Sequence, residues 1–106
     1  MMSETSSKKL YSTLKNVGLP VFYGVAKAMT SPPYIIYLGN GQNAFEADST
    51  YYTIENRYQV EYYYKDKNDD IEAQIESALM AAGYMYEKSE DVYVEDLECF
   101  LIYYHV

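Results

Sequence analysis

There is no tryptophan in this chain, and histidine and cysteine occur once each, as His105 and Cys99. A lone cysteine excludes an intrachain disulfide and points to a reducing compartment. So few His and Cys side chains cannot supply a zinc set or a Ser-His-Asp arrangement. Basic residues are scarce too: eight Lys and Arg stand against sixteen Asp and Glu, a formal charge of −8. They are scattered, with Lys8 and Lys9 the one adjacent pair. A protein that grips a nucleic-acid backbone clusters its cations to displace counterions, so specific nucleic-acid binding is not expected. No apolar run nears the roughly 20 residues that a membrane helix needs. The opening MMSETSSKKLYS lacks the apolar core of a signal peptide, so the expected location is the cytoplasm.

What the chain has in excess is tyrosine, fifteen in 106 residues. Tyr joins an apolar ring to a polar tip, which suits half-buried sheet faces and protein interfaces. Apolar residues make up 49% of the total, enough for a core, and the length suits one domain spanning residues 1–106.

In SETSSKKLYSTLKNVG, Leu10, Leu14 and Val17, with Tyr11, recur at spacings of three and four. That pattern predicts a helix over about residues 4–16, capped by Ser3 or Thr5 and stopped by Gly18 and Pro20. Val21, Phe22 and Tyr23 can form a short strand. YIIYL, residues 34–38, lies between Pro-Pro and Gly-Asn-Gly and predicts a strand covered on both faces. Residues 39–49 read as a long loop. TYYTI (50–54) and RYQVEYYYK (57–65) predict two strands or one long bent strand. Within the second, Tyr58, Val60, Tyr62 and Tyr64 alternate with Gln59, Glu61, Tyr63 and Lys65. One face then suits a core, and the other suits water or a partner.

Asn68 is a good cap for a second helix over about residues 69–82. Asp69, Asp70 and Glu72 favour its positive end, and Ile71, Ile75, Ala78, Leu79 and Ala82 form its buried stripe. Gly83 ends it. Residues 84–87 and about 95–105 predict two more strands, the last apolar on both faces. The order α-β-β-β-α-β-β defines an α+β fold, an antiparallel or mixed sheet of four to five strands with two helices packed on one face.

Chemistry is hard to find along this chain. His105 reads as a solvated chain-end residue and Cys99 as a small core hydrophobe. Asp66, Asp69 and Asp70 crowd around Asn68 without the spacing of a calcium loop, and the helix dipole explains them. The Gly39–Gly41 turn is not followed by a phosphate-loop signature. No catalytic, cofactor-binding or metal residue is therefore assigned, and an enzyme is not expected. A second acidic zone, Glu87, Glu90, Asp91, Glu95, Asp96 and Glu98, fits either a solvated hairpin or an electrostatic docking patch. Tyr51, Tyr52, Tyr86, Tyr93, Tyr103 and Tyr104 add more rings than two short helices can cover. Exposed patches of this kind mark interfaces, so association is expected, with Tyr63 at a subunit contact.

The stretch LPVFYGVAKAMTSPPYIIYLGNGQNAFEADSTYYTIENRYQVEYYYKDKNDDIEAQIESAL, with the closing FLIYYHV, resembles the small tail-terminator or tail-completion (head–tail joining) proteins of long-tailed phages and prophages. The likeness covers nearly the whole chain and lies in the pattern and order of elements, not in a catalytic signature. It implies a structural morphogenesis subunit that caps the tail tube and joins it to the head connector, as a ring that is commonly a hexamer. The implied partners are further copies of the chain, the major tail (tube) protein and the head–tail connector protein, with no cofactor. The implied location is the host bacterial cytoplasm during assembly and then the virion. By the same analogy Phe45, Glu46, Asp48, Tyr51 and Tyr52 become candidate protein contacts beside Tyr63. Two other classes remain: an acidic DNA mimic inhibiting a host DNA-binding enzyme, which needs carboxylates spaced over one face, and a small-ligand domain with stacked tyrosines, which needs a concave pocket.

Overall fold

The computed structural model describes residues 6–48 and 51–106, without the side chains of residues 44–48 and 51–54. Its elements are α1 (Ser6–Lys15), β1 (Val21–Tyr23), β2 (Tyr34–Asp48), β3 (Tyr51–Tyr64), α2 (Asp69–Ala81), β4 (Glu87–Lys88), β5 (Val92–Val94), a 3₁₀ turn (Glu95–Leu97) and β6 (Cys99–His105). The fold is α+β, with two helices and a six-stranded mixed sheet ordered β1-β2-β3-β6-β4; β5 pairs with β6 on the edge that β4 also uses. β1 runs parallel to β2, and the other pairings are antiparallel.

Both helices form where local chemistry favours them. The Asn68 side chain accepts hydrogen bonds from the backbone N–H of Asp70 and Ile71 at 3.1 and 3.2 Å, satisfying two donors at the start of α2. Ile75 and Leu79, one turn apart, are fully buried. In α1 the pair Leu10 and Leu14 has the same spacing and the same burial. The residues expected to cap α1, Ser3 and Thr5, lie outside the described residues.

These four side chains pack on a single sheet face built from Ile35, Tyr37, Val60, Tyr62, Tyr64, Ile102 and Tyr104. The register aligns them in cross-strand rows: Ile35 with Tyr62 and Ile102, Tyr37 with Val60 and Tyr104. Burying each of the larger ones contributes about 1.5–3 kcal/mol. α1 covers the β1–β2 half, where the Tyr11 and Tyr37 rings meet at 6.3 Å. α2 covers the β3–β6 half, where the Tyr104 hydroxyl donates to Glu76 Oε2 at 2.7 Å.

Several sequence expectations are corrected here. Of the expected loop 39–49, Ser49 lies outside the described residues and 39–48 are strand, because β2 continues to Asp48 and pairs with β3 almost throughout. The register shifts between Gly39 and Gln42, so that two residues of β2 face one of β3, and Gly41 takes φ +83°. That is a β-bulge with glycine in the left-handed position; Gly-Asn-Gly signals a turn and a bulge equally well. TYYTI and RYQVEYYYK form one strand, Tyr51–Tyr64, the second of the two arrangements expected. The sheet has six strands, not four or five, because Val92–Val94 folds back on β6 through the 3₁₀ turn, which ends at Glu98 with φ 50°. The strand expected over about 95–105 accordingly starts only at Cys99, and Leu97 lies in the turn. Of the strand expected over 84–87, Tyr84 and Tyr86 pack against the core, and the pairing with β6 is made by Glu87 and Lys88. Tyr104, expected among the surplus rings, is completely buried beneath α2.

Candidate functional site

The β2–β3 hairpin outruns the sheet. β1 pairs with β2 only as far as Tyr37, and β6 pairs with β3 only from Gln59. Among the described residues, 42–48 and 51–56 therefore pair with each other alone, as an arm about 20 Å long at the usual rise per residue. The molecule measures 51 × 28 × 26 Å, and its radius of gyration of 15.2 Å exceeds the roughly 13 Å of a compact chain this size.

The base of the arm is locked to the body from several directions. Gln42 Nε2 donates to Asn56 Oδ1 at 2.6 Å across the bulge, and Asn56 Nδ2 donates to Ser6 Oγ at 3.0 Å. Arg57 Nε donates to the Val106 carbonyl at 2.9 Å. On the other strand the Gly39 N–H donates to the Tyr23 hydroxyl at 3.2 Å, while the Tyr23 ring packs edge-on against Tyr37 at 5.0 Å. An open cleft of about 450 Å³ at this base is lined by Tyr23, Tyr37, Asn56, Arg57 and Tyr58, among others. The bulge thus sits on a braced platform, which fixes where the arm points.

The second surface is the sheet face away from the helices, which no helix covers among the described residues. Tyr63 lies on it, stacked on Tyr34 at 4.8 Å, with its hydroxyl donating to Glu61 Oε1 at 2.6 Å. Gln59 Nε2 donates to the other Glu61 oxygen at 2.7 Å. Burial and the adjoining Glu61 carboxylate push the Tyr63 hydroxyl well above its ordinary range, so it remains a neutral donor. Tyr103 and His105 stack at 6.1 Å along the same face. Cys99 is buried there, and burial raises its thiol, which suits an inert core residue.

Of the sequence-derived contacts, Tyr63 stands on this outer face, one strand from Tyr34. Phe45, Glu46 and Asp48 belong to β2 within the arm, with Glu46 opposite Tyr52 and Asp48 opposite Tyr51. The side chains of those five residues lie outside the described portion. Five of the six candidates thus belong to the arm by their strand positions, and Tyr63 to the body of the sheet.

Sequence reasoning missed a polar cluster beneath α2. Glu72 looked like a first-turn acid, yet it is 3% exposed. Lys88 Nζ approaches Glu72 Oε1 at 3.0 Å and Glu76 Oε2 at 2.7 Å. Lys67 Nζ lies 2.7 Å from Glu72 Oε2, in ion-pair rather than well-directed hydrogen-bond geometry, and 2.9 Å from Asp91 Oδ2. The Tyr64 hydroxyl donates to Asp91 as well. Burial works against ionisation of Glu76, but hydrogen bonds from Lys88, Tyr104 and Tyr86 hold its carboxyl below the ordinary range. The Tyr64 and Lys67 hydrogen bonds lower Asp91 likewise. With each acid matched to a lysine or tyrosine, this cluster is a structural clamp between α2 and the β4–β5 segment.

No family model matches the chain, and no curated protein matches it either. Among solved structures, the chain is similar in fold to one described as "Virion of native gene transfer agent (GTA) particle", with a TM-score of 0.57 and 13% sequence identity. The likeness covers 93% of this chain and 86% of that one. Among the described residues no helix is long and apolar enough to cross a membrane, and no three His, Cys, Asp or Glu side chains gather as a metal ion requires.

Proposed function

We propose that this protein is a structural, non-enzymatic subunit of a phage-like particle, acting as a tail terminator or tail-completion protein between tube and head connector. The observation that carries this reading is the near full-length fold likeness to a chain of a virion particle, at matching size on both sides. The projecting arm supports it, because a ribbon with two unpaired edges leaves backbone donors and acceptors for another chain to satisfy. In this reading the arm residues Phe45, Glu46, Asp48, Tyr51 and Tyr52 meet a neighbouring subunit or the tube, and Tyr63 lies in a contact through the outer sheet face. Copies of the chain close into a ring, with the major tail protein on one side and the connector on the other. Assembly takes place in the host bacterial cytoplasm, and the subunit ends in the virion.

The DNA-mimic alternative loses three of its carboxylates to ion pairs. Glu72, Glu76 and Asp91 are matched to Lys67 and Lys88, so they are not free to imitate a row of phosphates. Deleting the gene and measuring particles by electron microscopy tests the proposal. The expected outcome is headless tails of uncontrolled length. Normal tails joined to normal heads would refute it.

A further inference from the structure

The charges of this chain are poled along its sequence, and the sheet turns that into a polarity in space. No Asp or Glu occurs between Glu4 and Glu46, a span that holds Lys8, Lys9, Lys15 and Lys27. Lys15 and Lys27 flank β1, one at the end of α1 and the other in the turn after the strand. At the opposite edge, Glu90, Glu95, Asp96 and Glu98 are exposed around β5 and its 3₁₀ turn. Among the described residues, none of these six side chains enters an ion pair. The sheet order places β1 and β5 on opposite outer edges, roughly 19 Å apart at the usual strand spacing. That separation exceeds the Debye length of about 8 Å at physiological salt, so the poles scarcely attract within one molecule.

Each edge also exposes apolar side chains among its charges. On the β1 edge Tyr23 and Val25 are exposed, and Met29 is 99% exposed. Met29 holds φ 68°, an unfavourable conformation for a non-glycine residue, in a turn closed by Thr30 N–H and Oγ1 donating to the Lys27 carbonyl at 3.2 and 2.6 Å. The turn thereby holds an apolar knob out in water. On the β5 edge Tyr93, Leu97 and Phe100 are exposed, with the Tyr93 and Phe100 rings edge-to-face at 5.1 Å. Each edge thus sets an apolar patch beside charges of a single sign that lie outside ion pairs, the make-up of an interface core and rim.

We infer that the β5 edge of one copy docks on the β1 edge of the next, acidic rim against basic rim. This inference rests on the assembly reading above and names the surfaces by which copies meet. The contact is heterologous, using different patches on the two partners, and such contacts run head to tail and close into rings when the rotation permits. Because the chain as a whole is strongly negative, random approaches repel, and this orientation is the one that brings opposite signs together.

The test uses the full chain and two charge-reversed variants, Glu90→Lys/Glu95→Lys/Asp96→Lys and Lys15→Glu/Lys27→Glu, each first checked for an unchanged melting temperature. Sedimentation velocity at about 0.05 M salt is expected to show association of the wild type that weakens near 1 M. Each variant alone presents like charges on both edges and should associate at least about tenfold more weakly. An equimolar mixture of the two should recover association, since reversed edges match each other. Carbodiimide cross-linking of isotope-labelled and unlabelled copies should join Lys15 or Lys27 of one to Glu95, Asp96 or Glu98 of another. A wild type that never associates overturns the inference, as does a mixture that shows no rescue. Variants that assemble like the wild type also overturn it, while leaving the assembly reading intact. If tube protein also fails to recruit the chain, both fall.

Discussion

Removing both lysines that face Glu72 isolates the energetics of the clamp under α2. Glu72 is 3% exposed and has two cations within 3.0 Å. Lys67 and Lys88 are themselves 48% and 35% exposed, so water screens either pair taken singly. Lys67→Met or Lys88→Met alone still leaves Glu72 one partner, and each should cost about 0.5–1.5 kcal/mol. The double variant leaves a buried carboxylate with none, a cost of about 3–5 kcal/mol. The two substitutions should therefore couple by about 1 kcal/mol or more. In a domain of this size each kcal/mol moves the melting temperature by about 4–8 °C, so the double variant should melt at least about 12 °C below the wild type. Glu72→Met is the control. It removes the buried charge and leaves Lys67 on Asp91 and Lys88 on Glu76, so its cost should stay within about 1.5 kcal/mol. Urea unfolding gives the free energies. A double variant within about 1 kcal/mol of wild type, or a Glu72→Met variant equally damaged, would refute the reasoning.

Acid should weaken the same clamp. Glu76 and Asp91 ionise below their ordinary values of 4.5 and 3.8, so their contribution is complete above those values and is lost as pH falls through the lower folded ones. Urea midpoints should fall as pH drops below about 4.5, and Glu76→Gln should flatten that fall. On the alkaline side burial, with the Glu72 charge, pushes Tyr62 up to about 12, and Tyr34, Tyr37, Tyr63, Tyr64 and Tyr104 are also raised by burial. Groups raised in the folded state favour folding below their ordinary value and lose that contribution as pH climbs, so tyrosinate absorbance should rise in a late step that coincides with loss of circular dichroism. Gly41→Ala places a Cβ in open space but at φ +83°, and it should cost about 1–2 kcal/mol in thermal unfolding.

The elements written most plainly in the sequence were those whose signals are local. Asn68 followed by acids and an Ile–Ile–Leu stripe can hardly be anything except a capped helix, and α2 spans Asp69–Ala81. The Tyr58–Val60–Tyr62–Tyr64 alternation placed those side chains toward the helices, and the last three are buried there. Signals with two physical solutions were not readable. Gly-Asn-Gly serves a turn or a bulge, and only the partner strand decides between them, so the arm was hidden as a loop. The direction of a three-residue strand such as β1 leaves no trace in its composition, and the parallel pairing was accordingly open. Glu72 carries the same letter whether it complements a helix dipole or lies buried. Of its partners, Lys88 comes from β4, a tertiary event, and Lys67 from the turn that leads into α2. The candidate contacts were split between arm and outer face for the same reason, since alternation assigns a face but not how far a hairpin extends.

Assembly is the central claim, and light scattering with and without the tube protein tests it most directly. Purified chain is mixed with preformed tail tubes or tube-protein rings and its mass is followed by multi-angle scattering. A discrete multi-subunit species should form on the tube end and stop further tube growth. A chain that stays monomeric at every concentration and leaves tube growth unchanged would contradict it.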